Sequence, residues 1–273
     1  MNWSKAKNIC IVTFLLLNIV LMLLLYLDGR QYIITAESKQ AITTVLNNNQ
    51  ITFNEDFSFT RHDPKRRLSL ISYTLNQNML ANLFLINSTN IIITPHEYGT
   101  TFHTENEKIR FYPTRAFYKN ISIPLYLPTE NYKRLFATNT IISLGEIGRY
   151  FAFHSSTSEY NRHILDYRQT YRNNIIYSNY IVFTFYDNNI STINFSFTPV
   201  EGFIGSHIQI RPPNEALLAF MRKATSPIVI DNVDIVYIAQ GLIAVPFYRI
   251  KYTQNNIVNT MLLDAYNLQI ILE

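Results

Sequence analysis

"YIVFTFYDNNISTINFSF" fills positions 180–197 and carries the clearest structural signal in the chain. Two runs of β-branched and aromatic residues alternate with polar ones, the period-2 pattern of a half-buried strand. Asp187, Asn188 and Asn189 separate the runs. Asp and Asn tolerate the left-handed backbone of a tight hairpin better than most residues. The stretch therefore predicts two antiparallel strands, 180–186 and 190–198, turning at Asp187–Asn189.

Working outward, "KYTQNNIVNTMLL" supplies a second Asn-Asn turn and "DAYN" at 264–267 a third. Further strands are expected at 148–154, 162–171, 228–238, 243–252, 257–263 and 268–272, with shorter pieces at 67–75, 90–94 and 107–112. Two helices interrupt them. In "PTENYKRLFA", Thr129 caps the first turn, and Tyr132, Leu135 and Phe136 share a face. In "PPNEALLAFMRK", Pro213 suits the first helical position and Glu215 complements the positive end of the helix dipole. Leu217, Phe220 and Met221 form its apolar face, and Arg222 with Lys223 complement its end. Helix followed by antiparallel meander thus occurs twice, which makes the class α+β, antiparallel sheets each covered by a helix.

Composition agrees with a packed domain. Of 273 residues, 48% are hydrophobic and 14% aromatic, enough to bury a core and to exclude a disordered chain. Only seven Gly are present, so Asn takes over at turns. The single cysteine, Cys10, leaves the rest of the chain without disulfides, which fits a bacterial envelope protein better than a eukaryotic secreted one. The net charge of +4 is mild and unclustered, which argues against a nucleic-acid partner. The one dense basic run, "DPKRR" at 63–67, reads as a solvated turn before a strand.

The N-terminus sets the location. From Asn8 to Leu27, twenty residues carry no charge. As a helix they rise about 30 Å, the hydrocarbon thickness of a bilayer. A cleavable signal has a shorter apolar region and small residues at its end, whereas this run ends in "LYLDGR". A retained transmembrane helix is expected. Lys5 and Lys7 precede it, so the tail lies in the cytoplasm and everything after Asp28 outside. The expected organisation is a tail and anchor over 1–30 and a juxtamembrane stalk over 31–50, with a short helix in "ITAESKQAITTVL". A first extracytoplasmic lobe over 51–205 and a second over 206–273 follow.

Motifs for chemistry are weak. "HEYGTTFH" places His96, Glu97 and His103 near one another, but not as H-E-x-x-H. On one extended strand an odd spacing of seven would send the two histidines to opposite faces. His154, Ser155, Ser156 and Ser158 beside Glu159 read as a polar loop after a strand. The scattered carboxylates form no acid–base pair of the kind glycan cleavage uses, and no Gly-rich phosphate loop is present. The Asn-x-Ser/Thr matches at 87–90, 120–122, 189–191 and 194–196 are chance products of an Asn-rich chain. No metal or cofactor is expected. Thr13 and Asn18, inside the span but on different parts of the helix surface, stand out. An amide in hydrocarbon seeks a hydrogen-bond partner, which is either its own helix backbone or a polar group of another transmembrane helix.

Three stretches resemble a known family. "MNWSKAKNICIVTFLLLNIVL" opens with a Trp, two lysines and an apolar span holding Asn18. "YRQTYRNNIIYSNYIVFTFYDNNISTINFSFTPV" matches a hairpin region, and Val245, Pro246, Phe247 and Arg249 with Asp264 to Asn267 match a final sheet. Together they are similar to YycI, the membrane-anchored partner of YycH. Phe247 stands where Trp is expected and Asn267 where Gly is usual. The resemblance covers the N-terminus and most of the chain from 160 onward. It implies a non-enzymatic extracytoplasmic regulator acting with a YycH-like protein on a WalK-like sensor kinase, hence on WalR and wall metabolism, through contacts in the membrane at Asn18 and Thr13. The alternative is an anchored module or hydrolase acting on cell-wall polymer.

Overall fold

The computed structural model describes residues 3–31, 35–55, 57–58, 63–85, 90–120, 125–225 and 227–271. Residues 87–89, 121, 122 and 272, within the glycosylation matches and the last expected strand, lie outside them.

The chain begins with α1 (Trp3–Gln31), α2 (Ala36–Asn48), β1 (Ile51–Phe53), β2 (Lys65–Leu70) and α3 (Gln77–Phe84). Four short strands follow: β3 (Ile92–His96), β4 (Gly99–His103), β5 (Glu107–Phe111) and β6 (Arg115–Asn120). After α4 (Glu130–Ser143) and a 3-10 turn (Ile147–Tyr150) come β7 (Phe151–Glu159), β8 (Arg162–Tyr171), β9 (Asn174–Tyr186), β10 (Asn189–Ser196) and β11 (Val200–Ile208). The end comprises α5 (Pro213–Met221), β12 (Ile228–Gln240), β13 (Ile243–Gln254), β14 (Ile257–Asp264) and β15 (Ile270–Ile271). The class is mixed α+β with a predominantly antiparallel sheet.

Two compact units interleave along the chain. The first comprises Met1–Lys65, His207–Asp234 and Tyr248–Glu273; the second comprises Arg66–Ser206 and Ile235–Phe247. In the first, β1 pairs in parallel with β12, and β14 pairs with β13 and β15. α5 buries Ala216, Leu217 and Phe220, and Phe220 meets Tyr252 of β13 edge-to-face at 5.0 Å. Met221 is only half-buried.

In the second unit the sheet order is β11-β2-β13-β12-β9-β10-β6-β5-β4-β3, with β7 and β8 branching from β9. The 180–197 hairpin forms as its sequence predicts. Asp187 (φ 46°) and Asn188 (φ 65°) supply two successive left-handed residues, and Tyr186 pairs with Asn189. That is the turn whose twist matches the strands. Ile181, Phe183 and Phe185 are fully buried, each such side chain contributing about 1.5–3 kcal/mol. Helices cover this face, with Phe136 of α4 against the Phe183 and Phe185 rings and Phe84 of α3 against Phe195.

Several expectations need correction. α4 does not bury the face carrying Tyr132 and Leu135, which are 55% and 56% exposed. It buries Lys133, Ala137, Thr140 and Ile141. Lys133 is tolerated inside because its Nζ donates to Asn188 Oδ1 at 2.9 Å and lies over the Phe185 ring. The cap at Thr129 forms, its hydroxyl accepting from Tyr132 N at 3.4 Å. The "DPKRR" run leads into β2 rather than staying in solvent: Arg66 donates to the carbonyls of Gly205 and Phe203. In the last turn the left-handed residue is Leu268 (φ 61°), not Asn267.

α1 is a continuous helix of 29 residues. Its described side chains, Trp3, Lys7, Asn8 and 11–23, are exposed, except for the half-buried Asn18. Among the described residues no helix is long and apolar enough to cross a membrane. The run 11–23 rises about 20 Å, short of the roughly 30 Å of hydrocarbon. The span expected over Asn8–Leu27 also uses residues whose side chains lie outside the described set.

Candidate functional site: a polar cleft at a bulge in β9

The strand β9 carries a local break in its pairing. Arg168 of β8 pairs with Tyr180, but the next residue, Gln169, pairs with Ile176. Tyr177, Ser178 and Asn179 are therefore extra residues, bulged out of the ladder. Bulges re-aim side chains and recur beside functional sites.

Each of the three is held. The Arg168 guanidinium lies 4.0 Å from the Tyr177 ring centroid and 5.2 Å from that of Tyr180. Its Nη1 donates to the Tyr177 carbonyl, and its Nε pairs with Asp166. Ser178 Oγ accepts from Ala239 N at 3.1 Å. Asn179, 1% exposed, donates its amide to Gln169 Oε1 and, at 2.9 Å, to the Thr198 carbonyl.

Beside this bulge lies a cleft of about 190 Å³, wholly within the second unit. Ser72, Tyr73, Thr114, Ser178, Ser196 and Thr198 bring hydroxyls to its wall, Asn179 an amide and Arg115 a guanidinium. Arg115 and Ser196 stand directly opposite on β6 and β10. Strand alternation sets Ser196 on the face away from Phe195 and Phe197, whose rings belong to the core. Ser196 is 4% exposed. The wall is thus rich in donors, carries one cation and contains no carboxylate among its described residues.

A larger pocket of about 650 Å³, in the first unit, is mostly apolar. Ala219, Met261, Leu268 and Ile270 line it, with Arg222 and Lys223 at its margin.

The residues singled out by sequence fall as follows. Asn18 donates its amide to its own helix, at the Phe14 carbonyl, 2.9 Å away. Thr13 is five residues further toward the N-terminus on the same helix, about 1.4 turns away and on a different part of its surface. His96 and His103 are separated by a hairpin rather than by one strand: His96 pairs with Gly99 at the turn and His103 with Ile92 at the far end. Among the described residues no group of three His, Cys, Asp or Glu side chains is placed to hold a metal.

The run expected as a loop, 155–159, is part of β7, and a serine–histidine contact does form there. Ser158 Oγ lies 2.6 Å from His163 Nδ1, and Ser156 Oγ 3.5 Å from Nε2. Burial, reinforced by the Lys133 and Arg134 charges and opposed by Glu130, holds the His163 pKa below its ordinary 6.5. The ring is thus kept neutral and braced by two hydroxyls. Among the described residues no carboxylate bonds the ring, so the arrangement lacks the third member of a nucleophile-activating triad. Tyr118 is another buried titratable group. Its hydroxyl donates to Glu107 Oε1 at 2.7 Å, and burial with that bond pushes its pKa well above 10. The pair ties β5 to β6 inside the core.

The cleft was not identified from sequence. Its signal is the polar interruption "YSN" at 177–179 between the apolar ends of one long strand.

Neither a protein-family model nor a curated protein matches the chain. Among solved structures, an uncharacterized protein from Eubacterium rectale aligns at TM-score 0.53 and 10% identity, covering 83% of this chain and 92% of that one. That likeness is one of fold alone. The C-terminal domain of YpeB from Bacillus megaterium aligns at TM-score 0.41 and 12% identity over 73% of this chain and 98% of that one.

Proposed function

We propose that this chain is a non-enzymatic membrane-anchored regulator of the YycI type. α1 crosses the cytoplasmic membrane, the tail with Lys5 and Lys7 stays inside, and everything after Asp28 lies outside. There the protein acts with a YycH-like protein on a WalK-like sensor kinase and so on wall metabolism. The observation that carries this reading is α1 itself. It is an unbroken helix with exposed Ile, Val, Phe and Leu side chains on every side, interrupted at mid-length by the amide of Asn18.

A carboxamide has two N–H donors and an acceptor oxygen. One donor is satisfied by the Phe14 carbonyl. The remaining capacity suits a polar side chain of a neighbouring helix; Thr13, five residues away, lies on a different part of the helix surface and would meet a separate partner. Such interhelical bonds contribute about 0.6–2 kcal/mol, which biases a two-state kinase by about 3–30-fold.

Asn18→Leu keeps the apolar span and removes the amide. In a membrane two-hybrid assay, association with the kinase or its YycH-like partner should weaken by about 3–30-fold at constant protein level. Unchanged association would place the regulatory contact outside the membrane and refute the role of Asn18.

The polar cleft favours a second reading, an anchored module that binds wall polymer. With no Asp or Glu in its described wall, the cleft has the donors to hold a glycan but not the paired carboxyls to cleave one.

A further inference from the structure

We propose that the cleft at the β9 bulge binds one pyranose ring carrying a carboxylate. The inference deepens the second reading above and is independent of the contacts of α1.

Size comes first. A cavity of about 150 Å³ accommodates one benzene-sized group, and the cleft is about 190 Å³. One sugar ring fits, whereas a peptide segment or an acyl chain does not. Chemistry comes second. Six hydroxyl-bearing side chains line the space, with Asn179, whose amide N–H groups are bonded to Gln169 and Thr198, shaping the wall. Hydroxyls both donate and accept, which matches the alternating requirements of a polyol. Tyr73 adds an aromatic ring to the wall. Its ring packs edge-to-face with Phe197, centroids 5.4 Å apart, which fixes its place in the wall.

Charge comes third. Arg115 is exposed at the cleft, and its side chain makes no ion pair or hydrogen bond among the described residues. The other arginine near the bulge, Arg168, is already engaged by Asp166. A guanidinium presents a planar fork that suits a carboxylate in two parallel bonds. With no acidic residue in the wall, the anion meets no opposing charge. Arg115 and Ser196, cross-strand neighbours, can hold the carboxylate and a ring hydroxyl of the same residue.

The test uses the full chain in phosphatidylcholine nanodiscs, titrated with glucuronate, glucose and acetate and followed by ligand-observed NMR. Glucuronate should bind saturably, glucose about tenfold more weakly and acetate more weakly still, one charge-assisted bond being worth about that factor. Arg115→Gln should cost about tenfold for glucuronate and leave glucose unchanged, which removes the discrimination. Ser196→Ala should weaken both sugars and spare acetate. Absence of glucuronate binding, equal binding of glucuronate and acetate, or equal glucuronate affinity in wild type and Arg115→Gln overturns the proposal. Arg115 is a surface residue, so its replacement tests the site without risk to the core, and circular dichroism verifies the fold of both variants. Asn18→Leu should bind glucuronate like wild type. Failure of the sugar site thus leaves the helix-contact reading standing, and the reverse holds too.

Discussion

Replacing Asp234 with alanine should be among the most damaging single changes in the first unit. Arg249 is 1% exposed, with its Nε donating to Asp234 Oδ1 at 2.9 Å and Nη2 donating to Oδ2. The two residues face each other from β12 and β13, an arrangement that accounts for the Arg in the "VPFYR" strand. Asp234→Ala leaves the guanidinium buried without its carboxylate, a loss of about 3–5 kcal/mol. At roughly 2–4 °C per kcal/mol for a chain of this size, the melting temperature should fall by about 6–20 °C. Asp234→Asn keeps an acceptor and should lose less, about 1–3 kcal/mol. Replacing both partners, Asp234→Leu with Arg249→Met, removes the buried charge along with its counter-charge and should recover most of the loss. The assay is thermal and urea unfolding of the full chain in mild detergent, followed by far-ultraviolet circular dichroism, with wild type, Asp234→Leu, Arg249→Met and the double variant arranged as a double-mutant cycle. An Asp234→Ala protein within about 1 kcal/mol of wild type would refute the reasoning, since that is the range of an ordinary substitution.

Two further outcomes follow from particular residues. His163 is held neutral in the fold, its pKa depressed below 6.5 mainly by burial. The unfolded chain therefore takes up the proton first on acidification. Its contribution to stability is complete above pH 6.5 and is lost as pH falls through the folded-state pKa. Melting temperatures of wild type should drop more steeply below that pH than those of His163→Gln, and parallel profiles would exclude the effect. Leu268 sits at φ 61°, a conformation that costs a non-glycine residue about 1–2 kcal/mol. Leu268→Gly should raise the melting temperature by about 2–8 °C, and a destabilised variant would show that packing of the leucine outweighs the strain.

The C-terminal half of the fold was legible because its strands are long. From 162 onward, most runs of eight or more alternating residues end in Asn-containing turns, and the left-handed pairs at Asp187–Asn188 and Asn255–Asn256 are where the sequence places them. The 92–120 region folds into four strands of five or six residues, too short for a period to stand out, and β4 and β6 were not anticipated. β10 hides a bulge between Ile190 and Thr192, which lets Ile190 reach the core despite its odd spacing from Ile193. The buried face of α4 was misread because hydrophobicity selects Tyr132 and Leu135, whereas the sheet selects small side chains and one satisfied lysine. The last turn was misread for a related reason. Asn267 uses its side chain, accepting from Gln269 N at 2.8 Å, while its neighbour takes the strained backbone.

The cleft shows why a site of this kind escapes sequence reading. None of Tyr177, Ser178 and Asn179 is unusual, and in a regular strand two of them would face one side and one the other. Only the three-residue slip against β8 gathers them, and that slip is fixed by partners distant in sequence: Gln169, Thr198 and Ala239. Those bonds also decide what the site can do. Both the Asn179 amide and the Ser178 hydroxyl are already bonded to protein, so they shape the wall more than they grip a ligand. The side chains of Arg115 and Ser196, opposite one another on β6 and β10, make no hydrogen bond among the described residues. A wall tied down in this way loses little freedom when a ligand enters, and the ordering cost that usually weakens a small polar ligand is reduced. Cutting the ties should therefore weaken binding even where the ligand touches none of them. Asn179→Ala removes the bonds to Gln169 and Thr198, and it should lower glucuronate affinity while leaving the preference for glucuronate over glucose intact, because that preference resides in Arg115. An Asn179→Ala protein that binds as wild type would mean that the bulge keeps its shape without those ties.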